Sequence, residues 1–548
     1  MNLTGYIIVL IFLIIMFGVG SIFYRWIGSA DDFYVAGRNL TPFVLAAVIA
    51  ATNINLYGMI GQSGVAYKHG ISIVWQAWTG NMALIFSGLF VIPIYRRLRI
   101  RTIPEFLEMR YTKGVRTLVA IIWVTRLTFW LGVILYAAVT AAKIVTGMNS
   151  FTGLALVLSV VVIVYTMLGG MWSVTFTDVL QFILMLGGAL ILLPLAMSFV
   201  GWWPGLVAKL PPGSLNLVPQ TGDYSWKFIL AIFLLGIEWA STDQGLLQRA
   251  FGAENTRTVA KGLVLAGLVT TPFALLWILP GLAGRIVFPA LGNADAAVPM
   301  MLAHFIPHIV LGIIVVGMLS SQLSATSGNL NGIATVFASD IYENVLNRNA
   351  TQKDVILVAR IITVIAGVGM ILFAYWVPVL GGAVNAYLTV IAVVDMPLFV
   401  ITVVYGMLWK RANWQGAIVG YLSGAVAGVV CEVFFRLNFN LTTYISAGAA
   451  LLVTPIVSLL TPAGNSFSID RIWNAKRSSE EEAKANNVFN IIPKTMGGKL
   501  SLIVLFTGLA VFLAGVIMGS AGIGMASAIA GAGMLTYFAG GFARTFTN

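Results

Sequence analysis

Charged side chains are scarce in this sequence. Only 9% of its 548 residues are Asp, Glu, Lys or Arg, whereas 59% are hydrophobic and the mean hydropathy is +0.95. So few charges exclude an ordinary soluble globular protein and a disordered chain. Apolar runs of about twenty residues recur along the sequence, which is the length needed to cross a hydrocarbon core of roughly 30 Å. The sequence therefore predicts a protein that crosses a membrane many times.

Cysteine and histidine are also rare. The single cysteine, Cys431, excludes a disulfide scaffold and a cysteine-based metal site, and three histidines leave little for metal chemistry. The acids are scattered and no HExxH motif is present, so we expect no enzyme and no cofactor. The net charge of +12 is explained by Lys and Arg in cytoplasmic loops, and no nucleic-acid partner is predicted.

Hydropathy predicts about fifteen membrane spans. The first apolar run has no preceding positive residue and no following A-x-A site, so it is interpreted as a helix and not as a signal peptide. Most of the 31 Lys and Arg residues follow odd-numbered spans, which predicts an external N-terminus and a cytoplasmic C-terminus. The predicted spans lie near 4–25, 41–67, 71–95, 117–147, 151–169, 177–201, 226–249, 260–287, 307–337, 354–375, 378–408, 414–436, 440–461, 498–518 and 520–542.

Two of these spans contain unusual polar interruptions. Residues 48–64 read VIAATNINLYGMIGQSG, and residues 231–249 read AIFLLGIEWASTDQGLLQR. Irregular backbone survives at membrane depth only where protein or water covers it, so both spans are candidates for broken helices that face a site. The alternative is close helix packing through Gly58, Gly61 and Gly64. The interruptions fall in spans two and seven, which is the spacing of two inverted five-helix repeats.

Five motifs then resemble the solute:sodium symporter family, which includes sodium/galactose and sodium/proline symporters. They occur in the family's order over roughly residues 25–465. The motifs are DDFYVAGRNLTP (31–42), RTIPEFLEMRY (101–111), YTMLGGMWSVTFTDVLQF (165–182), NLNGIATVFASDIY (329–342) and GMLWKRANWQGAIVG (406–420).

The resemblance implies an all-α membrane protein with a leucine-transporter-type core of two inverted five-helix repeats and extra helices. We expect a first helix and cytoplasmic linker (1–40), the transport core (41–408) and two additional helices (409–461). A cytoplasmic loop (462–497) and a C-terminal hairpin (498–548) follow. The hairpin includes the sequence GSAGIGMASAIAGAG, which is dominated by small residues.

The same resemblance implies a sodium site made from the first and eighth core helices. Its matching positions are the carbonyls of Ala51, Ile54 and Ser321 and the hydroxyl of Ser324. Ala325 stands where galactose- and proline-type members carry a second hydroxyl, so sodium and proton coupling both stay open. Thr326 and Ser327 are expected to point elsewhere. Helix packing is the alternative role for Ser324.

Asp178 matches an acidic position that the family implicates in cation passage. A helix N-cap by Thr177 or Asp178 is the alternative. The positions that grip sugar in a galactose-binding member do not carry over. Gln, Glu, Asn, Lys and Gln of that member are replaced by Gly58, Ala77, Gly236, Thr270 and Thr389. A pocket that loses five polar contacts is not expected to keep the same ligand, so galactose is not predicted.

Two acids lie inside predicted spans, namely Glu238 and Asp395. A charge at membrane depth costs roughly 2.5–3.5 kcal/mol, so such residues usually have a function. They could counter a cationic or amine-bearing solute, act as protonatable coupling groups, or pair with Arg126. Trp78 and Trp239 could line a cavity or simply pack. The predicted substrate-binding residues are Asn55, Gly58, Gln62, Gln76, Glu238, Trp239, Thr270 and Asp395.

Secondary active transport by alternating access is the predicted function. The protein would import a small polar solute across the cell membrane with sodium as the co-transported ion, and spans three, eight and eleven would complete a site made by spans two and seven. The first alternative is a proton-coupled or sodium-independent transporter of a cationic or amine-bearing solute. A channel, a membrane enzyme and a transporter-like sensor are the remaining alternatives.

Overall fold

The computed structural model describes residues 3–22, 29–305, 308–380, 383–464, 466–477 and 489–547, in which helices account for nearly all regular structure. We number the long helices α1 to α15 and divide broken ones into a and b. They are α1 (Leu3–Ile22), α2a (Pro42–Asn53), α2b (Tyr57–His69), α3a (Ile71–Phe90), α3b (Ile92–Leu98), α4 (Lys113–Thr146), α5 (Phe151–Leu168), α6 (Gly170–Val200), α7a (Trp226–Thr242), α7b (Gln244–Phe251), α8 (Thr256–Val287), α9 (Val310–Leu346), α10 (Gln352–Ala374), α11 (Ala383–Leu408), α12 (Trp414–Phe434), α13 (Phe439–Leu460), α14 (Met496–Ser520) and α15 (Ala526–Phe546).

The number of spans approximately agrees with the prediction. Within the described residues, 11 helices are long and apolar enough to cross a membrane, or 13 when the bent pairs α2a/α2b and α3a/α3b each count as one. The other two predicted spans correspond to α1, a shorter apolar helix, and to the broken helix α7. The prediction therefore located the helices well. Residues 23–28, at the end of the first predicted span and in the linker, lie outside the described residues.

Both predicted interruptions are real helix breaks. Helix α2a ends at Asn53, because Ile54 takes an extended conformation (φ −91°, ψ 104°), and α2b continues at an angle of 49°. Helix α7a ends before Asp243, which is also extended (φ −66°, ψ 114°). Asn and Asp at these points favour a break because their side chains can accept hydrogen bonds from the N–H groups of the next helix. The second break therefore lies at Asp243.

The predicted start of the sixth span was seven residues too late. Helices α5 and α6 follow each other directly through Gly170, whose φ of 50° lies in the left-handed region that favours glycine. A Cβ there would also lie 2.7 Å from the Phe33 ring, so both the backbone conformation and the close contact require glycine at this kink. Thr177 and Asp178 consequently lie well inside α6 and do not begin a helix, which makes the N-cap alternative wrong.

The C-terminal hairpin consists of two helices that pack closely. Gly508 and Gly515 of α14 face the backbones of Tyr537 and Ala530, so no side chain fits between the helices. Small residues of this kind allow close helix approach in a membrane. Within the small-residue sequence GSAGIGMASAIAGAG, Gly533 makes a similar close approach to the backbone of Phe512 on α14. The preceding polar loop contains the short helix Ser466–Ala475, and its residues 478–488 lie outside the described residues. The predicted domain boundaries stay a prediction.

Candidate functional site

A cavity of about 110 Å³ lies between the breaks of α2 and α7. Helices α3, α8 and α11 contribute to its wall as the sequence predicts, and α4 and α9 contribute as well. Its lining residues are Thr52, Asn53, Ile54, Asn55, Tyr57, Gly58, Gln62, Gln76, Ala77, Gly80, Asn81, Trp130, Ile232, Leu235, Gly236, Trp239, Asp243, Leu246, Thr270, Trp277, Ala325, Asn329, Tyr387 and Ile391.

Six of the eight predicted substrate residues meet at this cavity. They are Asn55, Gly58, Gln62, Gln76, Trp239 and Thr270. The other two, Glu238 and Asp395, are fully buried behind the wall and do not line it. Trp78 lies outside the lining as well. Its indole N–H donates to the Thr271 carbonyl at 3.0 Å, which favours packing over the cavity role.

Glutamines form a chain of hydrogen bonds along one wall. The Trp277 indole N–H donates to Gln62 Oε1 at 3.0 Å, and Gln62 Nε2 donates to Gln76 Oε1 at 3.1 Å. Gln76 Nε2 then donates to the Tyr57 hydroxyl at 2.8 Å. Because each amide uses one donor and one acceptor in the chain, its remaining donor and acceptor capacity is left for a solute.

Asparagines form a second polar cluster on the wall. Asn81 Oδ1 accepts hydrogen bonds from Asn53 Nδ2 and Thr270 Oγ1, both at 2.9 Å, and Asn81 Nδ2 donates to Thr271 Oγ1 at 3.1 Å. Sequence reasoning missed Asn81 as a site residue, and it noted Asn53 only as part of the polar interruption in span two. The available signal was an asparagine in each of two apolar spans, VIAATNINLYG and VWQAWTGNMAL.

Three aromatic rings close one side of the cavity. The ring centroids of Trp130 and Tyr387 lie 4.5 Å apart, and those of Tyr57 lie 5.3 Å from Trp130 and 5.0 Å from Tyr387. These rings come from α2b, α4 and α11, so they join both helix repeats. The sequence did not single out Trp130 or Tyr387, because one aromatic residue in an apolar helix gives no signal of its own.

Arg126 shows that the ion-pairing interpretation of Asp395 is correct. Arg126 Nε donates to Asp395 Oδ1 at 3.1 Å, and its NH2 group donates to Asp395 Oδ2. A second carboxylate, Asp243 Oδ2, accepts from Arg126 NH1 at 3.0 Å. Glu238 makes a different contact, because its Oε1 accepts from Thr242 Oγ1 at 2.5 Å.

Asp178 is also paired. Its Oδ2 accepts hydrogen bonds from Arg249 Nε at 3.2 Å and from Arg249 NH2 at 2.9 Å, and both side chains are completely buried. Arg249 is the last residue of the predicted seventh span. The structure places it in α7b, where its NH2 also donates to the Ser324 carbonyl at 3.2 Å.

The residues of the implied sodium site lie where α2a ends and α9 passes it. Ile54 and Ala325 line the cavity, whereas Ala51, Ser321 and Ser324 are buried behind it. The hydroxyls of Ser321 and Ser324 have no well-formed hydrogen bond within the described residues. Thr326 Oγ1 accepts from Gln322, and Ser327 Oγ donates to the Ser324 carbonyl, so both are engaged elsewhere as expected.

The changed sugar-binding positions separate into two groups. Gly58, Ala77, Gly236 and Thr270 all line the cavity. Thr389 does not, since its hydroxyl donates to Glu432 Oε1 at 2.9 Å in another part of the chain. The asparagine cluster and the glutamine chain supply polar groups to this cavity. The polar groups of its wall therefore come from other positions than those that bind sugar in a galactose-binding member.

Comparison with known proteins identifies the chain. Its sequence matches the profile of the sodium:solute symporter family over residues 33–424. The chain belongs to the sodium:solute symporter family. The resemblance drawn from the motifs is thereby confirmed, and so are sodium-coupled secondary transport of a small solute and a location in a membrane that the chain crosses several times. Members of this family are transporters and not enzymes, with sodium as a co-transported ion.

Relatives support the family and the fold. The sodium/glucose cotransporter of Vibrio parahaemolyticus is 28% identical over 480 residues, which cover 81% of this chain and 86% of that protein. A sodium-coupled sialic acid symporter in a substrate-bound, outward-open state matches with a TM-score of 0.77 at 21% identity, over 85% of this chain and 99% of that one. Mhp1, a nucleobase–cation symporter, matches with a TM-score of 0.54 at 14% identity, over 81% and 98%. The fold is therefore of the predicted leucine-transporter type.

Proposed function

We propose that this symporter carries a small, uncharged solute rich in hydroxyl or amide groups, and that the solute binds in the cavity between α2 and α7. Support comes from the six carboxamides of the wall, which each offer donors and an acceptor without a net charge. Hydroxyl and amide groups match such a wall, and the rings of Trp130, Trp239 and Tyr387 provide flat apolar surfaces beside it.

The state of the carboxylates is the observation that carries this proposal. Asp243 lines the cavity, but its Oδ1 accepts from the Leu246 N–H at 2.9 Å and its Oδ2 pairs with Arg126. Asp395 gives both oxygens to the same guanidinium. A carboxylate that is already paired offers little to an amine, so the arrangement favours an uncharged solute over a cationic one.

Sodium is proposed to bind beside the solute. A hard cation prefers oxygen ligands, and the last carbonyls of α2a have no partner in the next turn because the helix ends there. The carbonyls of Ala51 and Ile54, the Ser321 carbonyl and the Ser324 hydroxyl are the proposed ligands. The buried Ser324 hydroxyl supports this assignment, because it lies beside the Asp178 carboxylate and makes no well-formed hydrogen bond within the described residues. Asp178, paired with Arg249, is proposed to act on the path of the ion.

Alternating access is proposed to move the two repeats around this site. On one side of the cavity, access would require separation of the aromatic rings of Tyr57, Trp130 and Tyr387. On the other side, Gln244 Oε1 accepts from the Ile103 N–H and Gln244 Nε2 donates to the Arg101 carbonyl, both at 3.0 Å. These polar contacts would open in turn.

Orientation in the cell membrane is proposed from the distribution of basic residues. Arg96 donates to the Ala253 carbonyl at 2.7 Å, and Arg97 donates to the Phe489 carbonyl at 2.7 Å, so distant loops rich in Lys and Arg meet at one end of the molecule. The positive-inside rule places this end in the cytoplasm, and with it the C-terminus, while the N-terminus lies outside. Uptake into the cell is then the proposed direction.

Sodium-driven uptake into liposomes tests the proposed solute class. The purified protein is reconstituted with an inward sodium gradient and offered radioactive sorbitol, myo-inositol or glucose as uncharged solutes, ethanolamine as an amine and gluconate as an acid. We expect sodium-dependent uptake of at least one uncharged solute and of neither charged one. Uptake of ethanolamine alone would overturn the proposal in favour of an amine carrier. Protein-free liposomes and a potassium gradient are the controls.

A further inference from the structure

The guanidinium of Arg126 lies at the edge of the solute cavity, where carboxylates already pair with its charge. Arg126 is bound by Asp395 through two hydrogen bonds and by Asp243 through a third, and the side chains of all three residues are at most 7% exposed. The guanidinium carbon also lies 5.0 Å from the centroid of the Trp123 ring. A positively charged group that could hold an anion is therefore present but occupied.

This cluster borders the cavity directly. Asp243 is itself a lining residue, and so are Trp130, one helical turn after Arg126, and Ile391, one turn before Asp395. Residues four apart lie on the same helix face, so all three members approach the cavity from behind its wall. Glu238 is buried on α7a, one helical turn before the last residue of that helix, Thr242. It adds another carboxylate to the same region.

We propose that Asp243 and Asp395 exclude organic anions from the cavity by keeping Arg126 occupied, and that Asp243 is the main selectivity residue of the pair. The inference rests on the proposed function, because it concerns solutes in the same cavity. Three contacts to two carboxylates leave the guanidinium with few N–H groups to donate, so a carboxylate solute finds no free partner in Arg126. Asp243 is the member on the cavity side, so its loss exposes Arg126 to a solute.

The variant Asp243→Asn is suited to test this. Asparagine keeps the shape and can still accept from the Leu246 N–H as an N-cap. It removes the negative charge, so Arg126 and Asp395 become a neutral pair and Arg126 NH1 loses its partner on the cavity side. An anion in the cavity would then find an unpaired donor of opposite charge.

The probes are sorbitol and gluconate, which differ only in one end group, CH₂OH against a carboxylate. Binding is followed by tryptophan fluorescence of the purified protein at constant sodium, since three tryptophans line the cavity. We expect no saturable gluconate signal in the wild type. We expect Asp243→Asn to bind gluconate at least tenfold more tightly than the wild type, and this gain to disappear in the double variant Asp243→Asn/Arg126→Gln.

A matched control is Asp340→Asn. Asp340 is equally buried and pairs with Arg116 at 2.6 Å, but it lies outside the cavity lining. This variant should gain no gluconate binding. Gluconate binding of equal strength in wild type and Asp243→Asn would overturn the inference, as would its absence in an Asp243→Asn protein whose gel-filtration profile and unfolding temperature match those of the wild type.

A second variant covers the case in which Asp243→Asn does not fold. Asp395→Asn removes the other carboxylate, and we expect a smaller gain of gluconate binding that also depends on Arg126. The absence of any gain there would contradict the inference. Failure of the proposed function has a different signature, because it appears in wild-type protein as uptake of an amine or of no uncharged solute, whatever Asp243→Asn does with gluconate.

Discussion

Asn55 and Asp243 occupy corresponding places in the two broken helices. Asn55 Oδ1 accepts the Gly58 N–H at 3.1 Å just after α2a ends, and Asp243 Oδ1 accepts the Leu246 N–H at 2.9 Å just after α7a ends. Each side chain therefore stabilises the start of the second half of its helix, and each also lines the cavity. The breaks and the solute site are built from the same residues.

Replacing Asn55 tests this double role. Asn55→Ala removes the acceptor for the Gly58 N–H, and we expect a loss of stability of about 1 kcal/mol, a usual value for a lost N-cap. Transport should fall as well, because α2b would lose its defined start. Asn55→Asp keeps the acceptor and should retain most of the stability. Thermal unfolding in detergent measures the difference, and equal unfolding temperatures for Asn55→Ala and wild type would argue against the cap.

Gln76 connects Gln62 to Tyr57 by hydrogen bonds, so loss of the Gln76 side chain should weaken solute binding. Gln76→Ala leaves Gln62 Nε2 without its acceptor, and a buried polar group without a partner costs about 1–3 kcal/mol. We expect KM for the transported solute to rise by roughly 5- to 150-fold. Sodium binding without solute should change much less.

Tyr57→Phe is the matched variant for this measurement. It keeps the ring packed against Trp130 and removes only the acceptor of Gln76 Nε2, so the rise in KM should be smaller. A larger effect of Tyr57→Phe than of Gln76→Ala would mean that the glutamine chain does not hold the solute.

We expect the free energy of unfolding to depend on pH through the carboxyl group of Asp295. It lies between α8 and α9, and burial raises its pKa from 3.8 to about 6, while Lys68 lowers it. A pKa raised in the folded state means that the folded protein binds the proton more tightly, so the stability contribution is present below about pH 4 and is lost as pH rises through 6.

Asp295→Asn replaces the titratable carboxyl group with an amide that does not titrate. We expect the unfolding temperature of the wild type, relative to that of Asp295→Asn, to fall between pH 4 and pH 6.5 and to stay constant above it. Parallel curves for the two proteins over that interval would show that Asp295 does not titrate there.

Much of the fold could be predicted because its signals are local. Apolar runs located the helices, and asparagine, aspartate and glycine within two of them located the breaks, since these residues interrupt a helix by their own chemistry. The start of α6 was wrong because the kink at Gly170 depends on the neighbouring Phe33, which sequence periodicity does not show.

The site was less predictable because its chemistry depends on distant partners. Glu238 and Asp395 drew attention as acids inside spans, yet their roles follow from Thr242 and Arg126, and the pairing of Arg126 with Asp395 joins residues 269 positions apart. Asn81 and Tyr387 gave weak signals because each is a single polar or aromatic residue in an apolar helix. Gln62 was found because it lies in an interrupted span.

Radioactive sodium binding to the purified protein, with Ser324→Ala beside the wild type, tests the central claim that sodium binds where α9 passes the break in α2. Ser320→Ala is the control, because Ser320 is equally buried on the same helix and is not a proposed ligand. We predict saturable binding in the wild type and in Ser320→Ala and its loss in Ser324→Ala. Unchanged binding in Ser324→Ala would contradict the proposed site.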